Sequence, residues 1–169
     1  MTRTLRAEPL TKEGFAPFGD VIEAEGTPSA LINEGRCERF GDLARLDFAA
    51  GGRPGISIFR ARCVPLPWRF SLLERHPLGS QAFLPMQGTP FLVIVAPDAG
   101  GRPGSPRAFL ADGRQGVNYL RGTWHGVLTP LAGSGESEAL FAVIDRIGPG
   151  ANLEEWHAST PWEVVAAER

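Results

Sequence analysis

Short apolar runs recur along this chain at intervals of about ten residues, and segments rich in glycine and proline separate them. In the run FLVIVA, residues 91–96, both faces are apolar, which is typical of a strand covered on both sides. In ISIFRAR, by contrast, Ile56, Ile58 and Arg60 share one face and Phe59 lies on the other. Apart from a short stretch near residue 12, no window keeps a helical period, so the pattern predicts a mainly β barrel or sandwich.

The apolar runs define the predicted strands, and the turn formers define the connections between them. We predict a short helix over 12–18, capped by Thr11, and an irregular loop over 26–38, where no period is visible. A chain of 169 residues fits one ordinary domain, so residues 1–169 are predicted to form a single domain. Strands are predicted over 4–10, 21–25, 43–48, 56–64, 70–74, 81–86, 91–96, 107–111, 117–120, 127–131 and 139–146.

Charge and composition exclude several classes of partner. With 17 basic and 19 acidic residues the formal charge is −2, and no basic stripe exists, so neither nucleic acid nor an anionic membrane is expected. The N-terminal segment lacks the apolar stretch of a signal peptide, and no apolar run could span a bilayer, so a soluble protein is expected. Cys37 and Cys63 have no zinc-site or disulfide spacing, which favours a reducing, cytoplasmic location.

Candidate chemistry is concentrated in ERHPLGSQAFLPMQG, residues 74–88, and in GTWH, which ends at His125. Because side chains alternate along a strand, Glu74 and His76 are expected to point the same way, and Arg75 the opposite way. Gln81, on the next predicted strand, is expected to face them. The stretch is compatible with a metal site, with a site for proton transfer, or with a polar turn that leads into a core strand.

The same residues resemble the sequence motifs of the cupin barrels. Glu74 and His76 stand at the two histidine places of the first motif, Gln81 at the glutamate place and Gly88 at the closing glycine, while GTWH resembles the G-x-x-H of the second motif. The resemblance implies Glu74, His76, Gln81 and His125 as the ligands of any divalent metal. Because an amide is a weak ligand for such ions, we expect no required cofactor.

A closer resemblance covers nearly the whole chain and points to the ureidoglycolate lyase family. It is carried by FGDVIE, INEG, ERHPLGSQAFLPM, QGVNYLRGTWH and FAVIDRIGPGANLEE. It implies a homodimeric, cupin-type antiparallel β-barrel, jelly-roll-like with a few short helices, that splits (S)-ureidoglycolate into glyoxylate and urea during allantoin breakdown. One departure is Gly126, because a second histidine often follows the first at this place in the family.

The chemistry implied by this resemblance assigns roles to residues. Cleavage needs a base near the hydroxyl and an acid near the ureido nitrogen, for which we predict His76, His125 and Glu74. The substrate also needs guanidinium groups for its carboxylate, amides for its ureido group and aromatic walls. The predicted residues are Arg60, Arg75 and Arg146 for the carboxylate, Gln81, Asn118 and Asn33 for the ureido group, and Tyr119 and Trp124 for the walls.

Other interpretations of these residues stay open at this point. Arg75 also fits a salt bridge at the surface or at an interface, and Asp145 with Arg146 fits a local ion pair at a strand end. The segment ANLEEW is expected to cover the barrel mouth, with Glu154 or Glu155 near it. As a whole, the chain also fits a non-catalytic cupin-like domain that binds a small carboxylate or sugar, or a metal-dependent cupin enzyme.

Overall fold

The computed structural model describes residues 3–133 and 135–166, so the predicted domain 1–169 extends beyond it at 1, 2, 134 and 167–169. The described chain is mainly β, as predicted, with one short helix, α1 (Lys12–Phe15). Its strands are β1 (Arg3–Pro9), β2 (Gly19–Ile22), β3 (Ala30–Ile32), β4 (Cys37–Arg39), β5 (Arg53–Arg62), β6 (Trp68–Arg75), β7 (Gln81–Pro85), β8 (Phe91–Ala96), β9 (Arg107–Ala111), β10 (Gly116–Tyr119), β11 (Trp124–His125), β12 (Thr129–Pro130), β13 (Glu138–Ile147) and β14 (Glu154–Val165).

Six strands close into a barrel in the order β11-β6-β14-β1-β9-β8, and β8 pairs back with β11. β1 pairs in parallel with β14 and with β9, whereas the other pairings between these six strands are antiparallel. The barrel encloses its own apolar core, which includes Leu73, Leu92, Ile94 and Trp124. The predicted cupin-like β-barrel is therefore confirmed.

A second sheet, in the order β2-β10-β7-β13-β5, packs against one side of the barrel. A second apolar core fills the layer between them and includes Phe83 and Phe141 from the sheet and Val93 and Val95 from β8. Because β8 alternates, its even-numbered residues line the barrel core and its odd-numbered residues line this layer. All six of its residues are buried, which confirms the strand predicted to be covered on both sides.

Local structure differs from prediction in several places. The helix ends at Phe15, after one turn capped by the Thr11 side chain, which accepts a bond from the Gly14 amide at 3.0 Å. Residues 26–38, predicted as a loop, contain the hairpin β3–β4, whose turn passes through the left-handed region at Asn33 (φ 55°) and Glu34 (φ 60°). The strand predicted over 43–48 is absent, because that segment lies across the outer face of the second sheet.

The long strand β14 was not predicted, although it pairs with both β1 and β6. Its pairing with β6 shifts register between His157 and Trp162, although its burial alternates throughout. The sequence EEWHASTPWEVV has few apolar residues and contains Pro161, and a proline within a run argues against a strand. On both sides of the shift its tryptophans, Trp156 and Trp162, pack against the barrel core. The described residues contain no helix with the length and apolarity needed to cross a bilayer.

Candidate active site

Glu74, His76 and His125 converge in the layer between the barrel and the second sheet. Glu74 lies directly opposite His125 across the β6–β11 pairing, and His125 lies opposite Val95, a residue of that layer's core. One ligand atom from each of the three side chains lies within 4.8 Å of the others. His76 Nε2 is 4.0 Å from a Glu74 carboxylate oxygen. Glu74 and His76 thus share a side, as the alternation predicts, but they face this layer and not the core of the six-stranded barrel.

Backbone carbonyls fix the tautomers of both imidazoles. His76 Nδ1 lies 2.6 Å from the carbonyl oxygen of Asn152, and His125 Nδ1 lies 3.0 Å from the carbonyl oxygen of Gly126. A carbonyl can only accept, so each Nδ1 carries the hydrogen and each Nε2 presents a lone pair when the ring is neutral. Both Nε2 atoms are buried and have no partner among the described residues. Each imidazole can therefore accept a proton or bind a metal ion.

Burial separates the protonation behaviour of the cluster's members. It lowers the pKa of His125 to about 3, so this imidazole is neutral near pH 7. Burial raises the pKa of Glu74, with a small further increase from Glu155 and an opposing effect from His76. The pKa of Tyr119 is also raised by burial, and its ring stacks on His125 with 4.2 Å between centroids and an angle of 4°. Tyr119 is therefore neutral and lies against the cluster, and its role as a wall for the substrate stays a prediction.

Gln81 and Asp145 extend this site along the second sheet. Gln81 lies opposite Tyr119 across the β7–β10 pairing, and its side-chain N–H points toward an Asp145 oxygen at 3.4 Å. The register of β13 on β7, which pairs Ile144 with Ala82, brings Asp145 next to Gln81. Sequence reasoning missed Asp145 by treating it as an ion-pair partner of Arg146. The available signal was alternation, because Asp145 continues the buried face of β13.

Arg75 and Trp124 lie on the opposite face of β6 and β11, at the end of the barrel core. The Arg75 guanidinium lies 4.5 Å from the centre of the Trp124 ring, and it forms ion pairs with Asp98 at 2.9 Å and Glu154 at 2.6 Å. The Trp124 indole N–H also donates to Asp98, at 2.9 Å. These two predicted substrate ligands instead form a structural network, which agrees with the salt-bridge interpretation of Arg75.

Four other predicted substrate ligands lie away from the cluster. Asn118 donates to Asp20 and to the Arg45 carbonyl, on the outer face of the second sheet. Arg146 donates to backbone carbonyls. Arg60 is exposed on the edge strand β5, and Asn33 is exposed in the turn of the β3–β4 hairpin. Among residues 3–133 and 135–166, no Arg or Lys side chain forms an ion pair with Glu74 or Asp145. Within the described residues, Arg60, Arg75 and Arg146 are bound to other groups and not to the cluster, and their role in binding the substrate carboxylate stays a prediction.

The structure shows where a second histidine after His125, at the place of Gly126, would point. A Cβ atom at this position would lie 3.0 Å from the Cβ of Ile94, a residue of the barrel core. A side chain at 126 therefore points into the barrel, away from Glu74 and His76. A second imidazole here would not join the cluster in this backbone arrangement.

The donor set of the cluster also fits a divalent metal ion. Two neutral imidazole nitrogens and one carboxylate, on one side of a pocket, can bind a transition metal and leave positions open for a substrate. Gln81, the fourth ligand implied by the cupin motif, is directed at Asp145 instead. The metal-ligand set that the structure supports is therefore Glu74, His76 and His125.

A closed barrel packed on a second sheet, with two histidines and a carboxylate brought together between them, defines a cupin-like protein. A family model described as Ureidoglycolate lyase matches residues 2–165. Proteins named Ureidoglycolate lyase are similar over almost their whole length: one from Rhodobacter capsulatus is 59% identical (93% of this chain, 95% of that protein), and one from Chelativorans sp. is 53% identical (99% of each). Another, from Brucella melitensis, is 56% identical (92% of this chain, 90% of that protein). This chain belongs to the ureidoglycolate lyase family, which confirms the resemblance found in the sequence.

Proposed function

We propose that this protein cleaves (S)-ureidoglycolate to glyoxylate and urea in the breakdown of allantoin. The observation that supports this activity best is the cluster of Glu74, His76 and His125, in a chain whose relatives carry the name of this lyase. Membership of the family favours an enzyme over a non-catalytic domain that binds a small carboxylate or sugar.

The reaction is an elimination from a single carbon, which carries a hydroxyl, a carboxylate and the ureido nitrogen. The hydroxyl loses its proton, its oxygen becomes the aldehyde oxygen of glyoxylate, and the electron pair of the C–N bond leaves with the nitrogen. That nitrogen takes up a proton, and urea is released. The site must therefore accept one proton and supply another.

The geometry favours a division of these roles within the cluster. The lone pair on His76 Nε2 accepts the hydroxyl proton, and the Glu74 carboxyl, whose raised pKa favours its protonated form, supplies a proton to the nitrogen. Because the pKa of His125 is lowered, this imidazole is a weak base and stays neutral beside the reacting groups. The 4.0 Å separation of His76 and Glu74 then lets the proton return and restores the starting state. Acid–base assistance of this kind is worth about 10²–10⁴ in rate.

A metal-dependent form of the same reaction is the second candidate, and the charge of the site favours it. The substrate is an anion, the cluster contains the Glu74 carboxyl, and no Arg or Lys of the described residues forms an ion pair there. A divalent ion held by Glu74, His76 and His125 would supply positive charge for the substrate's oxygen atoms. In that case the three side chains are ligands, and the proton acceptor must be a different group.

One pair of assays tests both candidates. Purified protein is incubated with racemic ureidoglycolate, and glyoxylate release is compared with the spontaneous rate; no release by folded protein would refute the lyase activity. Half of the substrate should remain if the protein acts on one enantiomer. Metal content is measured in parallel, before and after chelation. Full activity with substoichiometric metal supports the acid–base form, whereas loss on chelation and recovery with one ion supports the metal-dependent form.

We also propose that the protein is a cytoplasmic homodimer. Large apolar side chains are exposed on the edge strand β5 and on the β3–β4 hairpin, where Ile56 is 78%, Ile58 55% and Leu31 64% exposed. Exposed apolar groups on an unpaired strand edge are typical of a surface that pairs with another chain. The free thiols of Cys37 and Cys63 are consistent with a reducing compartment. Light scattering during size-exclusion chromatography tests the dimer, and Ile56→Asp with Ile58→Asp should convert it to a monomer.

A further inference from the structure

The Gln81–Asp145 pair has hydrogen-bonding capacity that the fold leaves unused. Gln81 Nε2 approaches one Asp145 oxygen at 3.4 Å, which is a long contact. Gln81 Oε1 and the second Asp145 oxygen, Oδ1, are both buried and have no partner among the described residues. An unsatisfied buried acceptor costs free energy, and two of them on neighbouring strands indicate a ligand that donates hydrogens.

The position of the pair relative to the cluster sets where that ligand lies. Gln81 is opposite Tyr119, and Tyr119 is stacked on His125, so the two free acceptors are one side chain away from the proposed reaction centre. All of these side chains occupy the layer between the barrel and the second sheet. A ligand that contacts the acceptor pair at one end and the cluster at the other therefore lies within this layer.

We propose that Gln81 and Asp145 form the subsite for the ureido group, a proposal that rests on the proposed function. The ureido group is planar and presents N–H bonds on one edge, which match two neighbouring acceptor oxygens. The opposite orientation is disfavoured, because it would place the substrate carboxylate against the Asp145 carboxylate. With the ureido group bound here, the carbon bearing the hydroxyl faces Glu74, His76 and His125.

Two non-reacting analogues test this orientation without requiring turnover. N-carbamoylglycine keeps the carboxylate and the ureido group but lacks the hydroxyl, so it cannot undergo the elimination. N-acetylglycine replaces its terminal amino group with a methyl group. We expect wild-type protein to bind the carbamoyl compound at least about tenfold more tightly, the discrimination typical of a lost hydrogen bond to a charged group. Affinities are measured by calorimetry or, for weak binding, as inhibition constants.

Variants of the pair should remove this preference. Asp145→Asn replaces one accepting oxygen with a donor, and Gln81→Met keeps the side-chain length without its amide; in both, the affinity ratio should fall toward one. Asp20→Asn is a matched control, since Asp20 accepts from the Asn118 amide on the outer face of the same sheet. This control should keep the wild-type ratio, and thermal melts of all three variants verify folding.

The outcomes separate this proposal from the proposed function. Equal wild-type affinity for the two analogues, or an unchanged ratio in both folded variants, would overturn the ureido subsite. Wild-type protein that prefers the carbamoyl compound but releases no glyoxylate from ureidoglycolate would retain the subsite and refute the lyase. Release of glyoxylate without any preference would refute the subsite and retain the lyase.

Discussion

Acid should destabilise this protein through His125 more than through an ordinary histidine. The folded state holds the His125 pKa at about 3, whereas an unfolded histidine has a pKa near 6.5. Between these two values the unfolded chain binds more protons than the folded chain, so the free energy of unfolding falls as the pH falls. The stabilising contribution is complete above pH 6.5 and is lost progressively toward pH 3.

The size of this effect follows from the two pKa values. Each pH unit inside the window costs about 1.4 kcal/mol, so lowering the pH from 6.5 to 4.5 should remove roughly 2–3 kcal/mol. For a domain of this size the corresponding fall in melting temperature is roughly 5–10 °C. Glu74 has the opposite effect on the free energy of unfolding over part of the same pH range. Because its pKa is raised in the folded state, the folded chain binds more protons than the unfolded chain above pH 4.5, and acid stabilises it there.

A variant that lacks the imidazole separates the contribution of His125 from that of the other titrating groups. Wild-type protein and His125→Gln are unfolded with urea at several pH values between 4.5 and 7.5, with a chelator present so that no metal binding contributes. The difference in unfolding free energy between them should change by about 1.4 kcal/mol per pH unit below 6.5 and stay constant above it. A difference that is independent of pH would show that His125 titrates normally and would refute its burial in a neutral form.

Three further predictions concern the residues around the cluster. Asn152→Ala should lower kcat and cost about 1 kcal/mol of stability, because the Asn152 side chain accepts from the Leu78 amide at 2.8 Å and so holds the carbonyl that orients His76; Asn152→Asp should restore both values. Glu74→Gln should become more stable relative to wild type as the pH rises above 4.5, since burial penalises the ionised carboxylate, and thermal melts from pH 4 to 8 measure this trend. Tyr119→Phe should keep wild-type activity and Tyr119→Leu should lower it, because the ring makes the stack on His125; steady-state kinetics of the two variants would contradict this if they are equal.

Local periodicity predicted most strands of the fold, because the faces that a strand buries are apolar in its own sequence. Phe91–Ala96 and Arg107–Ala111 have the predicted limits, and β6, β7, β10 and β13 differ from prediction by one or two residues at their ends. β14 was missed because its alternating side chains are mostly polar or small and Pro161 lies within it, so the sequence lacks the apolar run on which strand prediction depends. The β3–β4 hairpin was missed because its strands are short and largely exposed, so no buried face marks them.

The site was predictable only as far as alternation and motif spacing reach. These signals brought together Glu74, His76, Gln81 and His125, which the structure places in one layer. Asn118, predicted to bind the ureido group, lies on the other face of β10 and donates to Asp20; both faces of this strand are buried, so composition cannot tell which one faces the cluster. Asp145 was missed because its neighbour in the site, Gln81, is 64 residues away in sequence, and only strand register brings the two together.

The parallel pairing of β1 has a consequence for how the protein is made. The barrel wall between β6 and β1 consists of β14, which follows every other barrel strand in chain order, so a nascent chain lacks this wall until β14 has left the ribosome. The second sheet can form earlier, since its last strand, β13, ends at Ile147. The carbonyl of Asn152 that orients His76 is also synthesised late. During synthesis the second sheet can therefore form before the barrel closes, and the layer that holds Glu74, His76 and His125 is complete only once β14 has emerged.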